Sequence, residues 1–500
     1  MAFNSFTFAV FLPCALLLAW ALGPRLRWLA LLIVSIVFYA SLGVPYLLGV
    51  LLLVTGASFG FGLAIEHAHT PTRRRALLWF GVAIVVAPLV VLKYSGFVAQ
   101  NLNFLWGLWG TSGLTVRAPV FVSVGVSFYA FQAISYLIDV YLEIIPAERH
   151  FGRFAIFMAL FAKIVQGPIE RGENLLPQLR DPPALSLADL ASGMRLFAWG
   201  LFKKVVVADR LAVFVDVVYG DVDQFRGLPL LTATYFFAAQ LYFDFSGYTD
   251  MARGAARLFG IRLTENFNAP YFATSIADFW RRWHISFSSW ILDYIFKPLQ
   301  MGWRNSPRWG TPAALVVTFL VSGIWHGATW CFVVWGVLHG LYMASFVLYK
   351  PWQRQLYKRF KIQASARLRY WQVFVTFHLV CIAWVFFRAN SVGQAFRIVA
   401  QTVVGLPASV VSLLRAEHVA ETLFLRQPAG EMVFALGLIV MVAVGGACQR
   451  RSGEPAEHDR VGRALLPLRA PWARAVIMAV MVYLFAFHGA DAKSFVYARF

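Results

Sequence analysis

From Thr311 to Tyr349 the chain carries no Asp, Glu, Lys or Arg. A helix crosses the hydrocarbon of a bilayer in roughly 17–25 residues, so an uncharged run of this length crosses twice and returns. Its flanks say the same. Arg281, Arg282, Lys297, Arg304 and Arg308 precede it, and Lys350, Arg354, Lys358, Arg359, Lys361, Arg367 and Arg369 follow it. Basic loops stay on the cytoplasmic face, so the chain enters, turns and comes back. The turn falls near Val321–Ala328, where His326 sits beside Gly323, Trp325 and Gly327. An ionisable side chain at membrane depth is costly when charged and needs a partner even when neutral. On the residues alone two readings stay open: a group that handles protons, or a neutral histidine hydrogen-bonded within a bundle.

The rest of the chain is built alike. Of 500 residues, 60% are hydrophobic and 14% charged, too little charge to cover a soluble protein of that length. Apolar runs near 6–22, 28–42, 44–65, 76–92, 119–142, 188–217, 229–245, 311–325, 328–349, 370–387, 431–447 and 473–490 are candidate spans. They are uninterrupted, not alternating, which predicts an all-α bundle and excludes a barrel. The apolar run at 151–166 is too short for a crossing and return, so it is expected to be re-entrant, with Lys163 inside it. Residues 97–113, with Trp106 and Trp109, are expected to lie on the outer surface. Ala19-Trp20-Ala21 has the small residues of a cleavage site, but no positive charge precedes the apolar run, which predicts an uncleaved first span.

The net charge of +20 would suggest nucleic acid in a soluble protein. Here the basic residues occupy short loops between spans, so they set orientation, and no nucleic-acid partner is expected. Arg25 and Arg27 are two crossings from Arg73-Arg74-Arg75, placing both clusters in the cytoplasm and the N-terminus outside. The cluster Arg450, Arg451, Arg460, Arg463 and Arg469 also falls inside if 388–430 and the C-terminal tail are external. Cys14, Cys331, Cys381 and Cys448 lack metal or redox spacing and are expected to be buried free thiols.

One region is neither a clean span nor an ordinary loop. It opens Leu241-Tyr242-Phe243-Asp244-Phe245-Ser246-Gly247-Tyr248-Thr249-Asp250, passes Glu265-Asn266-Phe267, and reaches Asp278-Phe279-Trp280-Arg281-Arg282-Trp283-His284. Its mixture of aromatic, basic and small polar residues suits a segment dipping into the bilayer from the cytoplasmic side. His284 and His326 flank one cytoplasmic loop and are expected to converge at mid-membrane. A histidine there can accept a proton from a hydroxyl near neutral pH. No HExxH and no paired cysteines point to a metal, and no GxSxG points to a serine nucleophile. Arg281 and Arg282 between Trp280 and Trp283 read either as a positive-inside anchor or as a grip on the phosphates of an acyl donor. His339 lies 13 residues past His326; on one straight helix it would point elsewhere, which suits a packing role.

These residues together resemble the membrane-bound O-acyltransferase family, in the bacterial branch typified by the alginate O-acetyltransferase integral membrane subunit. The likeness rests on Leu241–Asp250, on Glu265–Trp290 with its FWRRWHISFSSW, on SGIWHG at Ser322–Gly327, and on Gly167-Pro168-Ile169. Trp384–Arg388 and the terminal Phe495–Phe500 extend it over nearly the whole chain. It implies a polytopic bundle of about 11 transmembrane helices around a re-entrant centre. Residues 1–500 would form a single membrane-embedded domain, with N-terminal helices at 1–150, a catalytic core at 151–350 and C-terminal helices at 351–500. By the same likeness His326 is the essential histidine and His284 the second. Trp280, Arg281, Arg282 and Trp283 are candidates for the donor side, and Asp244, Asp250, Asn266, Ser322 and Trp325 for support.

The implied activity is O-acetylation of an exported polysaccharide, alginate-like first, at the bacterial inner membrane with both termini periplasmic. Acetyl-CoA is the expected donor, with no tightly bound cofactor. The expected partners are membrane lipid, a separate periplasmic acetyltransferase and the polysaccharide acceptor. D-alanyl transfer to teichoic acid and acetylation of peptidoglycan or cellulose are alternatives in the same class. A permease is the alternative from another class, although the halves of the chain show no repeat.

Overall fold

The computed structural model describes residues 1–109, 115–117, 119, 121–182, 186–362, 365–417, 419–451 and 495. Among them the secondary structure is helical, and the sole strand-like pairing is an isolated bridge between Phe267 and Trp283. The all-α reading holds. The expected span at 473–490 and most of the terminal Phe495–Phe500 motif lie outside the described residues.

The chain divides into two compact units. Unit 1 takes Met1–Ala198 and Tyr248–Glu265, with Phe495. It contains α1 (Phe6–Ala21), α2 (Gly23–Ala40), α3 (Pro45–His67), α4 (Pro71–Leu89), α5 (Ser95–Leu108), α6 (Val126–Tyr141), α7 (Phe151–Ala159), α8 (Gly172–Arg180) and most of α9 (Leu187–Phe202). Local chemistry sets several starts: Ser5 caps α1, and Thr70 caps α4 with Pro71 as its first residue. Residues 97–108 of the segment expected on the outer surface are helical. Pro88 removes a hydrogen bond inside α4, but the chain absorbs the loss in a π turn at Val90–Tyr94 and runs on into α5. Pro71–Leu108 is thus one continuous apolar helix.

The run at 151–166, expected to be re-entrant, forms a nine-residue helix, α7, followed by a buried turn. Buried backbone needs partners, and Phe161 N–H donates to Ser35 Oγ at 3.0 Å. Lys163 is buried in this turn and donates to Gln132 Oε1. Buried Glu170 accepts from Thr264 N at 2.5 Å and Thr264 Oγ1 at 3.1 Å.

Unit 2 takes Trp199–Gly247 and 266–451 of the described residues. It holds α10 (Asp209–Gly220), most of α11 (Leu228–Leu258), α12 (Ile276–Trp280), α13 (Ile285–Ile291), α14 (Lys297–Gly302), α15 (Gly310–His326) and α16 (Trp330–Arg359). Then follow α17 (Ala366–Arg388), α18 (Val392–Leu414), α19 (Val419–Thr422) and α20 (Ala429–Arg451). The double crossing expected at 311–349 is the α15–α16 hairpin.

Among the described residues five helices are long and apolar enough to cross a membrane: Pro45–His67, Pro71–Leu108, Trp330–Arg359, Ala366–Arg388 and Val392–Leu414. Phe6–Ala21, Gly310–His326 and Ala429–Val440 are shorter apolar helices. Large apolar side chains such as Leu52, Trp79, Phe80, Val403 and Val404 face outward, an arrangement suited to lipid and unfavourable in water. Together these features make the chain a multi-pass membrane protein.

Leu241–Asp250 lies in the middle of the 31-residue α11. Lys203 and Lys204, within the expected span at 188–217, are buried in a π turn, Lys203–Ala208, that joins α9 to α10. Buried ammonium groups need acceptors, and Lys204 Nζ finds Asp244 at 2.7 Å and Asp209 at 2.8 Å.

Candidate active site

His326 is the last residue of α15 and is 4% exposed. Two glycines put it there. At Gly323 an added Cβ would run into the Phe332 carbonyl and lie 3.0 Å from the Gly336 Cα, so the α15 and α16 backbones meet only because both residues are small. At Gly327 the backbone turns extended and ends α15; a Cβ there would strike the Phe332 ring. The hairpin closes directly after the histidine and folds α16 back over it. The His326 ring then packs against Trp325 and Trp335 at 4.8 Å between centroids, Phe287 at 5.3 Å and Phe387 at 5.6 Å.

His284 caps α13 from a left-handed backbone conformation, φ 45° and ψ 56°, and is fully buried. Asn266 holds this turn from the opposite strand of the loop. Its carbonyl accepts from Ile285 N at 3.0 Å and its Oδ1 from Ser286 N at 3.0 Å. Asn268 N donates to Arg282 O at 2.9 Å on the other side of the Phe267–Trp283 bridge. The His284 ring meets Phe245 of α11 edge-on at 4.7 Å and Phe287 at 5.1 Å. Phe287 and Trp325 each touch both imidazoles, with Trp325 at 6.3 Å from His284. The two histidines therefore share aromatic walls.

The other candidates distribute unevenly. Ser322, one turn before His326 on the same face of α15, is buried, and its hydroxyl has no hydrogen-bond partner among the described residues. Trp325 is a wall of the enclosure and Asn266 the clamp beneath His284. Trp280 and Trp283 are buried in an aromatic cluster with Phe279, His339 and Trp384. Arg282 pairs with Asp278 at 2.9 Å, while Arg281, 74% exposed, lies 3.7 Å from the same carboxylate. Asp244 is committed to Lys204, and Asp250 lies 3.7 Å from Arg253 in unit 1.

His339 is where residue counting on one helix misleads. Because the helix breaks at Gly327, His339 sits on α16 and touches the same Trp335 as His326, at 4.9 Å. Its Nδ1 accepts from Trp280 Nε1 at 3.2 Å, a packing and hydrogen-bonding role that ties α12 to α16. Trp335, Phe387 and Phe287 were not singled out from the sequence. Their signal was the spacing of aromatic residues around the histidines, which is indistinguishable in sequence from ordinary lipid-facing positions.

The arrangement is a buried aromatic enclosure with two imidazoles and a hydroxyl near its turn, suited to moving a proton away from water. The membrane-bound O-acyltransferase family profile matches residues 149–389, a range that contains every residue of the enclosure. A probable alginate O-acetylase of Azotobacter vinelandii is 37% identical over 403 residues, covering 80% of this chain and 77% of the relative. One from Pseudomonas aeruginosa is 37% identical over 400 residues, covering 79% and 74%. A peptidoglycan O-acetyltransferase of Helicobacter pylori is 32% identical over 416 residues, covering 78% and 76%.

Proposed function

This chain belongs to the membrane-bound O-acyltransferase family, and on that premise we propose that it passes acetyl groups from cytoplasmic acetyl-CoA across the inner membrane to an exported, alginate-like polysaccharide. The observation that carries the chemistry is the enclosure of His326 and His284 behind shared aromatic walls. The polymer class is supported by the two alginate O-acetylase relatives, each 37% identical over more than two thirds of both chains.

His326 acts as general base. Its imidazole takes the proton of the acceptor hydroxyl as the oxygen attacks the thioester carbonyl carbon. The tetrahedral intermediate collapses, the C–S bond breaks, and the departing CoA thiolate takes the proton back from the imidazolium. Aromatic walls keep water from competing for the acetyl group. His284 orients the donor side, and a separate periplasmic acetyltransferase receives the acetyl group and delivers it to the polymer.

Reconstitution with acetyl-labelled acetyl-CoA tests this reading. Wild type should release labelled product, His326→Ala should lose nearly all transfer, and His284→Ala should lose much of it. Label reaching an acceptor at the wild-type rate in His326→Ala would remove the general-base assignment. Solute uptake into liposomes without any acetyl transfer would point to a permease instead.

A further inference from the structure

Unit 1 holds a second polar feature, separate from the residues that enclose His326. A cavity of about 190 Å³ opens between the first turn of α2, the start of α7, the end of α8 and the segment following α11. Arg25, Arg27, Arg153 and Arg180 line it, and among the described residues no carboxylate does. Orientation by positive charge explains arginines in loops. It does not explain four of them converging from three helices on one concavity, with Arg27 buried.

Two of the four guanidinium groups, Arg25 and Arg153, are open to a ligand. Arg180 Nε donates to Glu148 at 2.8 Å, but that carboxylate is buried outside the lining and also accepts from two backbone N–H groups. Arg25 and Arg153 make no ion pair with the described residues. Leu22 caps α2 without a side-chain acceptor, so the first-turn N–H groups add to the positive potential beside Arg25. Trp28 and Phe259 give the cavity an apolar wall.

We propose that this cavity binds a phosphate-bearing anion. Guanidinium groups meet phosphate oxygens through paired, charge-assisted hydrogen bonds, and several around one concavity select a group carrying more than one negative oxygen. Two sources share this chemistry on the side where Arg25 and Arg27 are expected. One is the phosphates of the CoA donor, an assignment that rests on the proposed function; the other is the headgroup phosphate of an anionic lipid, which does not.

The test uses the full-length protein in detergent, with Arg25→Gln and Arg153→Gln combined, since neither side chain is buried. Binding is measured to CoA and to inorganic pyrophosphate by calorimetry. Retention of phosphatidylglycerol over phosphatidylcholine is measured by native mass spectrometry. Loss of two charge-assisted contacts should weaken the bound anion about tenfold or more. If CoA and pyrophosphate weaken, and the KM for acetyl-CoA rises while kcat holds, the donor is the occupant. If phosphatidylglycerol retention falls while CoA binding is unchanged, the occupant is lipid. Unchanged binding in all three arms overturns the site. His326→Ala should leave all three arms at wild-type values, so failure of the catalytic assignment and failure of this cavity give different results.

Discussion

A left-handed histidine is a strained residue, and His284 pays about 1–2 kcal/mol for that conformation. Two contacts from Asn266 hold it, through the Asn266 carbonyl and Oδ1. Asn266→Ala removes the side-chain acceptor and leaves the buried Ser286 N–H without it. The expected result is a loss of about 1–3 kcal/mol in stability and a drop in acetyl transfer, read by thermal unfolding in detergent and by steady-state rate. Ser322 makes the opposite case. Its buried hydroxyl has no partner among the described residues, so Ser322→Ala removes an uncompensated polar group and should leave the melting temperature unchanged or raised. Its transfer rate should nevertheless fall, because the hydroxyl lies one turn from His326 and on the same face. A fall in stability would show that the hydroxyl has a structural partner.

At the scale of elements, the site depends on how closely α15 and α16 pack. Gly323→Ala forces the hairpin apart at the Phe332 carbonyl and should cost about 1–3 kcal/mol together with most of the activity. Gly49→Ala is the matched control, since a Cβ there meets nothing within 4 Å. In the interior of α3 it should stabilise by about 0.5–1 kcal/mol. The same thermal assay ranks the two. A second test concerns the π turn between α9 and α10. Lys204→Met leaves buried Asp244 and partly exposed Asp209 without their shared cation, and is expected to destabilise by about 3–5 kcal/mol. Lys204→Met with Asp244→Leu should recover part of that loss, which a thermal double-mutant cycle would measure. The hairpin itself was legible in the sequence, because an uncharged run with basic residues at both ends permits one topology. The π turns were not. Whether a helix runs on past the proline in α4 or the two lysines after α9 depends on tertiary packing, for Lys204 on Asp244 and Asp209, that local sequence does not reveal. The site was half legible: charge counting and motif likeness found His326 and His284, while the walls that enclose them come from packing.

For the whole molecule the open choice is the path of α18, within the segment 388–430 expected to be external. The helix Val392–Leu414 has the length and hydropathy to cross, and most of its surface is unburied. Charge argues against a crossing. With α17 ending outside, a crossing by α18 would bring Arg415 and Arg426 in and send α20 outward, carrying Arg450, Arg451, Arg460, Arg463 and Arg469 to the wrong face. Two basic residues gained do not offset five misplaced. Arg397 also stands within α18, exposed and 3.4 Å from Asp223, a position better suited to the headgroup level than to the hydrocarbon. Length alone permits a span, but the balance of charge places α18 along the outer interface with its apolar face toward lipid. Single cysteines at Ser391 and Glu417, introduced into a cysteine-free background, should both react with an impermeant thiol reagent applied from the periplasmic side. One at Arg73 should react only once the membrane is opened. If Ser391 and Glu417 label from opposite faces, α18 crosses, and the arginines beyond α20 face the periplasm against the charge rule.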